Sequence, residues 1–320
     1  MRVSAERLAA DAAATGFRPD MLEKAIHLLG LLDVMQSHPT LKGKLALKGG
    51  TALNLFVFDV PRLSVDIDLN YVGSESREAM LEERLRIEEA MLAVFGREDF
   101  NVRRVPQEHA GGKWSLRYAA ASGQSGRIDV DVNYMYRVPL WPVTMMDSRP
   151  LGSWRVFDIP VVDIHELAAG KLTALLDRRR ARDLFDSCLL FSIADLDLAR
   201  LRTAFVVYGA MARKDWRTVS IEDASFDPSE LSSQLVPSLR LEANQGLEAT
   251  SYGQTLVEES RVALSKLLPF AESELAFLDL LLDRGEIDPT LLISDEALQK
   301  RIQAQPLLKW KAQHVRRHNR

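Results

Sequence analysis

Cysteine is nearly absent from this chain of 320 residues, which contains only Cys188. A single thiol cannot form an intrachain disulfide, so disulfide-stapled secreted domains are excluded and a reducing, cytoplasmic setting is indicated. Apolar residues surround Cys188 in the sequence, which favours a buried core thiol over a nucleophile. We therefore expect other side chains to carry the chemistry.

Long hydrophobic runs are also absent. No stretch approaches the roughly 18 apolar residues of a membrane-spanning helix, so the sequence predicts no membrane association. Glu6 and Asp11 interrupt the region where a signal peptide would be apolar, so no export is predicted. Positive charge is not in excess either, because 41 Lys and Arg stand against 45 Asp and Glu, a net charge of −4. That balance argues against a protein that coats nucleic acid along its whole surface.

What remains is the composition of an ordinary globular protein, with 47% hydrophobic and 27% charged residues. The first half of the chain alternates between helix and strand patterns, and the second half has helical periodicity almost throughout. We predict an α+β fold with two domains. Residues 1–160 form a mixed sheet with flanking helices, and residues 161–320 form a mostly α-helical domain. Within the first domain, residues 74–95 predict an amphipathic helix with an apolar side of Leu81, Leu85, Ile87, Met91, Leu92 and Phe95.

A glycine turn stands near the start of the first domain. An apolar run from Leu45 ends in Gly49-Gly50-Thr51, and a helical pattern follows. A glycine turn that leads into a helix lets backbone N–H groups approach a phosphate, and the helix N-terminus favours negative charge. The turn is therefore a candidate phosphate site.

Two aspartates follow the turn. Asp66 and Asp68 alternate with apolar residues, which predicts a strand with both carboxylates on one face, roughly 6.5 Å apart. Carboxylates that close repel each other unless a cation lies between them. Hard oxygen ligands suit Mg²⁺, which usually arrives with substrate phosphates. The turn and the aspartates together indicate a site for a metal and a triphosphate.

A second alternating pair, Asp129 and Asp131, lies on a strand predicted over residues 127–134. A turn at residues 122–126 joins this strand to one at residues 114–119, which predicts a hairpin. Further on, Asp163 and Glu166 have the spacing of a helix capping box. The predicted helix carries Lys171, and Asp183 opens the next one, where it pairs either with Lys171 or with an arginine of residues 178–182.

Three segments resemble the AbiEii/MenT family of nucleotidyltransferase toxins, within the DNA polymerase β-like nucleotidyltransferase superfamily. The first is K-G-G-T-A-L-N-L-F followed by S-V-D-I-D-L, within residues 48–69. The second is K-L-x-A-L followed by R-D, within residues 166–186, and the third is P-L-L-K-W-K-A-Q, which begins at Pro306. The resemblance implies a polymerase-β-like core in the first domain.

The resemblance also implies a role for each candidate residue. Asp66 and Asp68 would hold two Mg²⁺ ions with a third carboxylate, for which we favour Asp131 while alternation leaves Asp129 open. Lys171 would neutralise phosphate charge in the catalytic site, and Asp183 would orient Lys171 or a metal-bound water. The nucleotide would be bound by the glycine turn, by its neighbours and by Lys171. The full set is Lys48, Gly49, Gly50, Thr51, Ser64 and Lys171.

The implied function is that of a toxin in a toxin–antitoxin system. Such an enzyme would use Mg²⁺ to add nucleotides from an NTP to the 3′ end of tRNA, which blocks translation and growth, and its partner would be a cognate antitoxin. Two alternatives remain open at this point. One is nucleotidyl transfer to a protein or small-molecule hydroxyl, and the other is a catalytically silent binding protein of the same fold.

Overall fold

The computed structural model describes residues 3–105, 111–193, 196–244, 246 and 248–318. The chain groups into two compact units. The first comprises Met1–Arg137, Val143–Val162 and Val236–Leu247. The second comprises Val138–Pro142, Asp163–Leu235 and Glu248–Arg320. The domain boundary predicted between residues 160 and 161 stays a prediction.

In its described residues, the first unit contains all the strands named here and four α-helices. The strands are β1 (Leu45–Lys48), β2 (Asp66–Tyr71), β3 (Asn101–Val105), β4 (Gly111–Ala119), β5 (Ser125–Asn133), β6 (Thr144–Met146) and β7 (Ile159–Val161). The helices are α1 (Ala5–Thr15), α2 (Pro19–Ser37), α3 (Gly49–Ala52) and α4 (Arg77–Arg97). α3 continues directly into a π-helical turn, Leu53–Val57.

These strands form one mixed sheet in the order β3-β4-β5-β2-β1-β7-β6. β2 pairs in parallel with β5 and antiparallel with β1, and β4 and β5 form the predicted hairpin. Ile67, Leu69, Val130 and Val132 are buried, as their alternation along β2 and β5 predicts. The mixed sheet with its helices confirms the predicted α+β class.

The segment that leads into β2 is held by a distant part of the chain. Arg62 forms an isolated antiparallel bridge with Leu239. The backbone N–H of Leu63 donates to the carbonyl of Ser238 at 2.8 Å, and the side chain of Arg62 is buried. These contacts tie residues 236–247 to the first unit.

The predicted apolar side of α4 is wrong in part. Ile87, Met91 and Phe95 are buried, but three of the predicted leucines are exposed: Leu81 by 42%, Leu85 by 69% and Leu92 by 44%. The buried Glu88, paired with two more exposed arginines, accounts for the difference. Glu88 accepts from Arg84 at 2.7 Å and from Arg104 at 2.8 Å, so this charged residue takes a buried position that an apolar pattern assigns to leucine.

The elements described in the second unit are helical, as predicted. They are α5 (Ile164–Arg178), α6 (Ala181–Leu190), α7 (Leu198–Met211), α8 (Pro228–Glu230), α9 (Ala249–Leu264), α10 (Glu272–Asp279), α11 (Glu296–Ala304) and α12 (Pro306–His318), with short 3₁₀ and π turns between some of them. None of the described helices in either unit is both long enough and apolar enough to cross a membrane.

Asp163 is the N-cap of α5, as predicted, but the reciprocal capping box is not formed. The Asp163 carboxylate accepts from the backbone N–H of His165 at 2.8 Å. Glu166 accepts instead from the Tyr208 hydroxyl at 2.9 Å and from the backbone N–H of Trp141 at 3.2 Å. These distant donors hold Glu166 in the interior, where burial raises its pKa to about 7.

A buried histidine lies on the inner side of α2. His27 is 3% exposed, and its ring centroid lies 4.0 Å from that of Tyr118 and 5.9 Å from that of Phe100. Among the described residues, neither ring nitrogen has a hydrogen-bond partner. Glu23 Oε1 lies 3.9 Å from Nε2, too far for a hydrogen bond. Burial disfavours the charged imidazolium, and it therefore lowers the pKa of His27 to about 4.

We predict an acid-dependent loss of stability from this histidine. The folded-state pKa lies below the unfolded value of about 6.5, so the unfolded chain binds more protons and stability falls as the pH drops from 6.5 towards 4. Between pH 7 and pH 4 the free energy of unfolding should fall by about 3 kcal/mol more in the wild type than in His27→Phe. Urea unfolding of both proteins at the two pH values measures this difference. Equal losses would show that His27 is not buried in its neutral form.

Candidate active site

Four carboxylates lie side by side on two neighbouring strands of the first unit. In the parallel pair of β2 and β5, Asp66 is opposite Asp129 and Asp68 is opposite Asp131. Residues that are opposite in a ladder point to the same face of the sheet, so the four side chains share the face that alternates with the buried apolar one. All four residues are partly exposed, as a site open to a substrate requires.

The glycine turn lies directly against this face. Lys48, the last residue of β1, is opposite Asp68 on the antiparallel side of β2. Gly49 begins α3 with a φ of +74°, in the left-handed region that favours glycine. A Cβ at this position would lie 2.7 Å from Asp68 Oδ2 and 3.3 Å from Asp68 Cβ. Only glycine fits here, because both the backbone conformation and the space exclude a side chain.

Side-chain hydrogen bonds join the turn to the strand. Thr51 Oγ1 donates to the backbone carbonyl of Asp66 at 2.6 Å, and Asn54 Nδ2 donates to the carbonyl of Gly50 at 2.9 Å. Ser64 is buried two residues before Asp66. The sequence predicts that Thr51 contacts phosphate. In the structure its hydroxyl donates to the protein backbone instead, and this hydrogen bond positions the turn.

Asp129 and Asp131 have different surroundings. Arg127 lies two residues before Asp129 on β5, and its Nε and Nη2 donate to the two oxygens of that carboxylate at 2.9 and 2.8 Å. The hydrogen bonds and the charge of Asp129 also raise the pKa of Arg127. The carboxylate of Asp129 is therefore already matched with a cation. In the ladder, Asp131 lies between Asp68 of β2 and Lys113 of β4.

A second group of charges is buried in the second unit, where α5 and α6 meet. Lys171 Nζ donates to Asp183 Oδ1 at 2.7 Å and lies 3.0 Å from Asp186 Oδ2. Arg178 Nη2 donates to the other oxygen of Asp183 at 3.1 Å. Burial alone would raise the pKa of Asp183, but Lys171 and Arg178 hold it below its usual value. Both partners that the sequence offers for Asp183 are thus present.

Two residues of these clusters were missed in the sequence. Asp186 lies 3.0 Å from Lys171 Nζ, and the signal for it is its spacing of three residues from Asp183, which puts both on one helix face. Arg127 shares a strand face with Asp129 because strand side chains repeat every second residue. In both cases the spacing shows a shared face, and only the packing shows which charges meet.

The side chains on the carboxylate face suit Mg²⁺ in kind, because they offer oxygen ligands. Asn70 is the next residue on this face of β2, and its buried Oδ1 has no hydrogen-bond partner among the described residues. In that same part of the chain, no three His, Cys, Asp or Glu side chains converge on one point as a metal site. Metal binding would therefore require the carboxylates of neighbouring strands to turn towards each other.

The fold has a counterpart among solved structures. MenT4, a nucleotidyltransferase toxin from Mycobacterium tuberculosis H37Rv, matches with a TM-score of 0.60 over 99% of this chain and 100% of MenT4. The sequence identity is 17%, so this likeness shows the fold alone. No curated protein matches the chain in sequence. The architecture therefore has the fold of a nucleotidyltransferase toxin.

The family follows from the sequence itself. Residues 31–260 match the family described as nucleotidyl transferase AbiEii toxin, type IV toxin–antitoxin system. The match spans well over half of the chain, and the chain therefore belongs to the AbiEii family of nucleotidyltransferase toxins. The resemblance to this family is confirmed. Two of the three segments, within residues 48–69 and 166–186, lie in the matched region, and the segment that begins at Pro306 lies outside it. The matched region contains every candidate site residue from Lys48 to Asp183.

The close approach of Gly49 to Asp68 leads to a prediction with a matched control. Gly43 also has a left-handed φ, +71°, but a Cβ there would meet no atom within 4 Å. Gly43→Ala should lower the free energy of unfolding by about 1–2 kcal/mol, the cost of that backbone conformation, and leave nucleotidyl transfer unchanged. Gly49→Ala should in addition displace Asp68 and reduce the transfer rate about 100-fold.

Urea unfolding and the rate of label transfer from an NTP measure the two effects separately. If Gly49→Ala were as active as Gly43→Ala, the placement of Asp68 by the glycine turn would be disproved.

Proposed function

We propose that the protein uses Mg²⁺ to transfer a nucleotide from an NTP to the 3′ end of tRNA, and that this transfer is its toxic activity. One observation carries the proposal: the register of β2 with β5, beside the glycine turn. It puts Asp66, Asp68 and Asp131 on one partly exposed face, with Gly49 packed against Asp68. Carboxylates on adjacent strands next to a turn of backbone N–H groups suit a metal-bound triphosphate.

The transfer exchanges a phosphoanhydride bond of the NTP for a phosphodiester bond to the acceptor. The 3′ hydroxyl oxygen of the acceptor bonds to the α-phosphorus while the bond to the β-phosphate oxygen breaks, pyrophosphate leaves and the hydroxyl gives up its proton. Bound Mg²⁺ would lower the pKa of that hydroxyl and neutralise charge on the leaving pyrophosphate. The work of Asp66, Asp68 and Asp131 is to hold the ions in a fixed geometry, since such catalysis is mainly positioning and electrostatics.

The glycine turn would receive the phosphates. Backbone N–H groups at Gly49 and Gly50 would donate to phosphate oxygens, and Thr51 would keep the turn at its distance from β2. Lys48 lies on the same face and would add positive charge, and Ser64 would support the strand entry. The turn has no side chain at Gly49 to block this approach.

Lys171 and Asp183 belong to the second unit, and their part in the reaction is likewise a proposal. An ammonium held by Asp183 and Asp186 is fixed in position before any nucleotide arrives. A positioned cation favours the charge that develops on phosphate oxygens during transfer. Lys171 would supply that cation, and Asp183 would orient it.

The acceptor and the partner are proposed from the family. A nucleotidyltransferase that is a toxin needs a target on which growth depends, and the resemblance implies the 3′ end of tRNA, where an added nucleotide prevents aminoacylation. Membership of a type IV toxin–antitoxin family likewise implies a cognate antitoxin encoded with this protein.

The test is incubation of the purified protein with Mg²⁺, total tRNA and each common NTP labelled at the α-phosphate. We expect lengthened, labelled tRNA with at least one NTP, loss of labelling on removal of Mg²⁺ by a chelator, and no labelling with Asp66→Ala. Circular dichroism verifies that the variant is folded. Label in protein or in small molecules instead of tRNA would replace the acceptor, and no transfer to any acceptor by folded wild type would reject the activity.

The ion pair of Asp129 with Arg127 favours Asp131 as the third metal ligand. Asp131→Asn should lower kcat about 1000-fold, because losing a metal ligand removes several kcal/mol of transition-state stabilisation. Asp129→Asn should keep kcat within about tenfold, because that carboxylate is paired with Arg127 and its exposed ion pair contributes little. Steady-state transfer assays compare kcat of the two isosteric variants. A larger loss of kcat in Asp129→Asn than in Asp131→Asn would assign the third metal ligand to Asp129.

A further inference from the structure

The helix α12, defined above as Pro306–His318, carries a local excess of positive charge. Residues 306–320 contain no Asp or Glu, although the whole chain has a net charge of −4. The basic residues are Lys309, Lys311, Arg316 and Arg317, with Arg320 outside the described residues. In the described part of the chain, none of the exposed Lys309, Arg316 and Arg317 forms an ion pair with a carboxylate. Their charge is therefore available to a polyanion.

Aromatic rings follow one another along the outer face of α12. Trp310 is 58% exposed and stacks on His314, with ring centroids 5.4 Å apart and planes 14° from parallel. His314 in turn lies 4.1 Å from His318, and both histidines are exposed. The spacing of four residues puts the three rings on one face of the helix. We call Trp310, His314 and His318 the aromatic strip.

The opposite face of α12 is fixed to the second unit. Leu308 and Ala312 are buried. Lys311 Nζ donates to the carbonyls of Ala210 and Ala212, at 2.9 and 2.6 Å, where α7 ends. This lysine thus serves as a cap for another helix, and the helix that carries the aromatic strip is held in one orientation with the strip outward.

We propose that the aromatic strip of α12 is a binding surface for single-stranded RNA, whose bases stack on the rings while Lys309, Arg316 and Arg317 contact the phosphates. Stacking platforms flanked by basic side chains are the general solution for binding unpaired nucleotides, because each base has a planar face and each linkage a negative charge. The choice of RNA rests on the proposed tRNA acceptor. The binding itself is separate from catalysis and is measured separately.

The chemistry of the surface favours RNA over a protein partner. The centre of a protein–protein interface is depleted of charged residues, but the aromatic strip is flanked by exposed Lys309, Arg316 and Arg317. A protein partner would leave these cations desolvated unless it supplied matching carboxylates. A nucleotide strand supplies both the planar groups and the negative charges at regular spacing.

The experiment measures fluorescence anisotropy of a short, fluorescein-labelled single-stranded oligoribonucleotide at several salt concentrations. The protein is the full chain carrying Asp66→Ala, so that no transfer reaction interferes. We expect Trp310→Ala to raise Kd about tenfold, because one base stack is lost, and Trp310→Phe to restore most of the affinity. Arg316→Glu with Arg317→Glu should reduce the slope of log K against log salt by about 1.4 for two lost phosphate contacts.

The controls match exposure and charge. Phe157 is 54% exposed and lies beneath the guanidinium of Arg155, so Phe157→Ala tests loss of an exposed aromatic elsewhere and should leave Kd unchanged. Arg18→Glu with Arg97→Glu makes the same change in net charge on the first unit. Thermal unfolding verifies that each variant folds.

Wild-type affinity in Trp310→Ala, or an equal loss in the Phe157→Ala control, would overturn the proposal, as would a strip that binds a protein and no RNA. These results are independent of the proposed activity. If nucleotides are transferred but Trp310→Ala leaves RNA binding unchanged, the proposed function stands and the proposed RNA-binding surface is rejected. If RNA binds through Trp310 but no nucleotide is transferred, the surface stands and the proposed function is rejected.

Discussion

The parallel pairing of β2 with β5 is the constraint on which the rest of the structure depends. Strand side chains repeat every second residue, so a shift of one residue would turn the aspartates of one strand into the core. Burial of Ile67 and Val130 on the other face prevents this shift. Like charges opposite each other destabilise a sheet, but the pair of Asp68 and Asp131 is flanked in the ladder by Lys48 and Lys113. Apolar burial on the reverse face also offsets the repulsion.

Positive charge is used differently in the two units. On β5, the exposed Arg127 compensates Asp129 locally. In the second unit, Lys171 is enclosed by Asp183 and Asp186. Burying an ion cluster of this kind adds little net stability, because desolvation offsets the attraction. The cluster acts on geometry, because it holds the ammonium in one position. The flexible side chain of a surface lysine would leave its ammonium free to move.

The sequence predicts the parts of the site that follow from local rules. Alternation places Asp66 and Asp68 on one face, and a double glycine before a helix marks a tight turn. Neither rule indicates that Gly49 touches Asp68, because that contact depends on the pairing of β1 with β2. The fold class was equally accessible, since the two halves of the chain have different periodicities. The assignments of roles to individual site residues remain predictions.

The failures of the sequence-based expectations have one physical cause. Leu81 and Leu85 were assigned to the core by their apolar character, and Glu166 to a cap by its spacing from Asp163. In the structure, tertiary partners override both patterns. Arg104 of β3 pairs with the buried Glu88 of α4, and Tyr208 with Trp141 draws Glu166 away from the helix start. Rules based on spacing along the chain cannot predict hydrogen bonds between polar groups that are distant in sequence.

The bridge between Arg62 and Leu239 has a consequence for the order in which the protein is made. It joins the entry of the aspartate strand to a segment that leaves the ribosome only after α5, α6 and α7 have been synthesised. Contacts between residues so far apart in sequence form slowly, because a long loop must close first. The anchor of the lead-in to β2 therefore cannot form before residue 239 has been synthesised. A cell that makes this chain has an interval in which the aspartate strand is synthesised but its entry is not yet anchored.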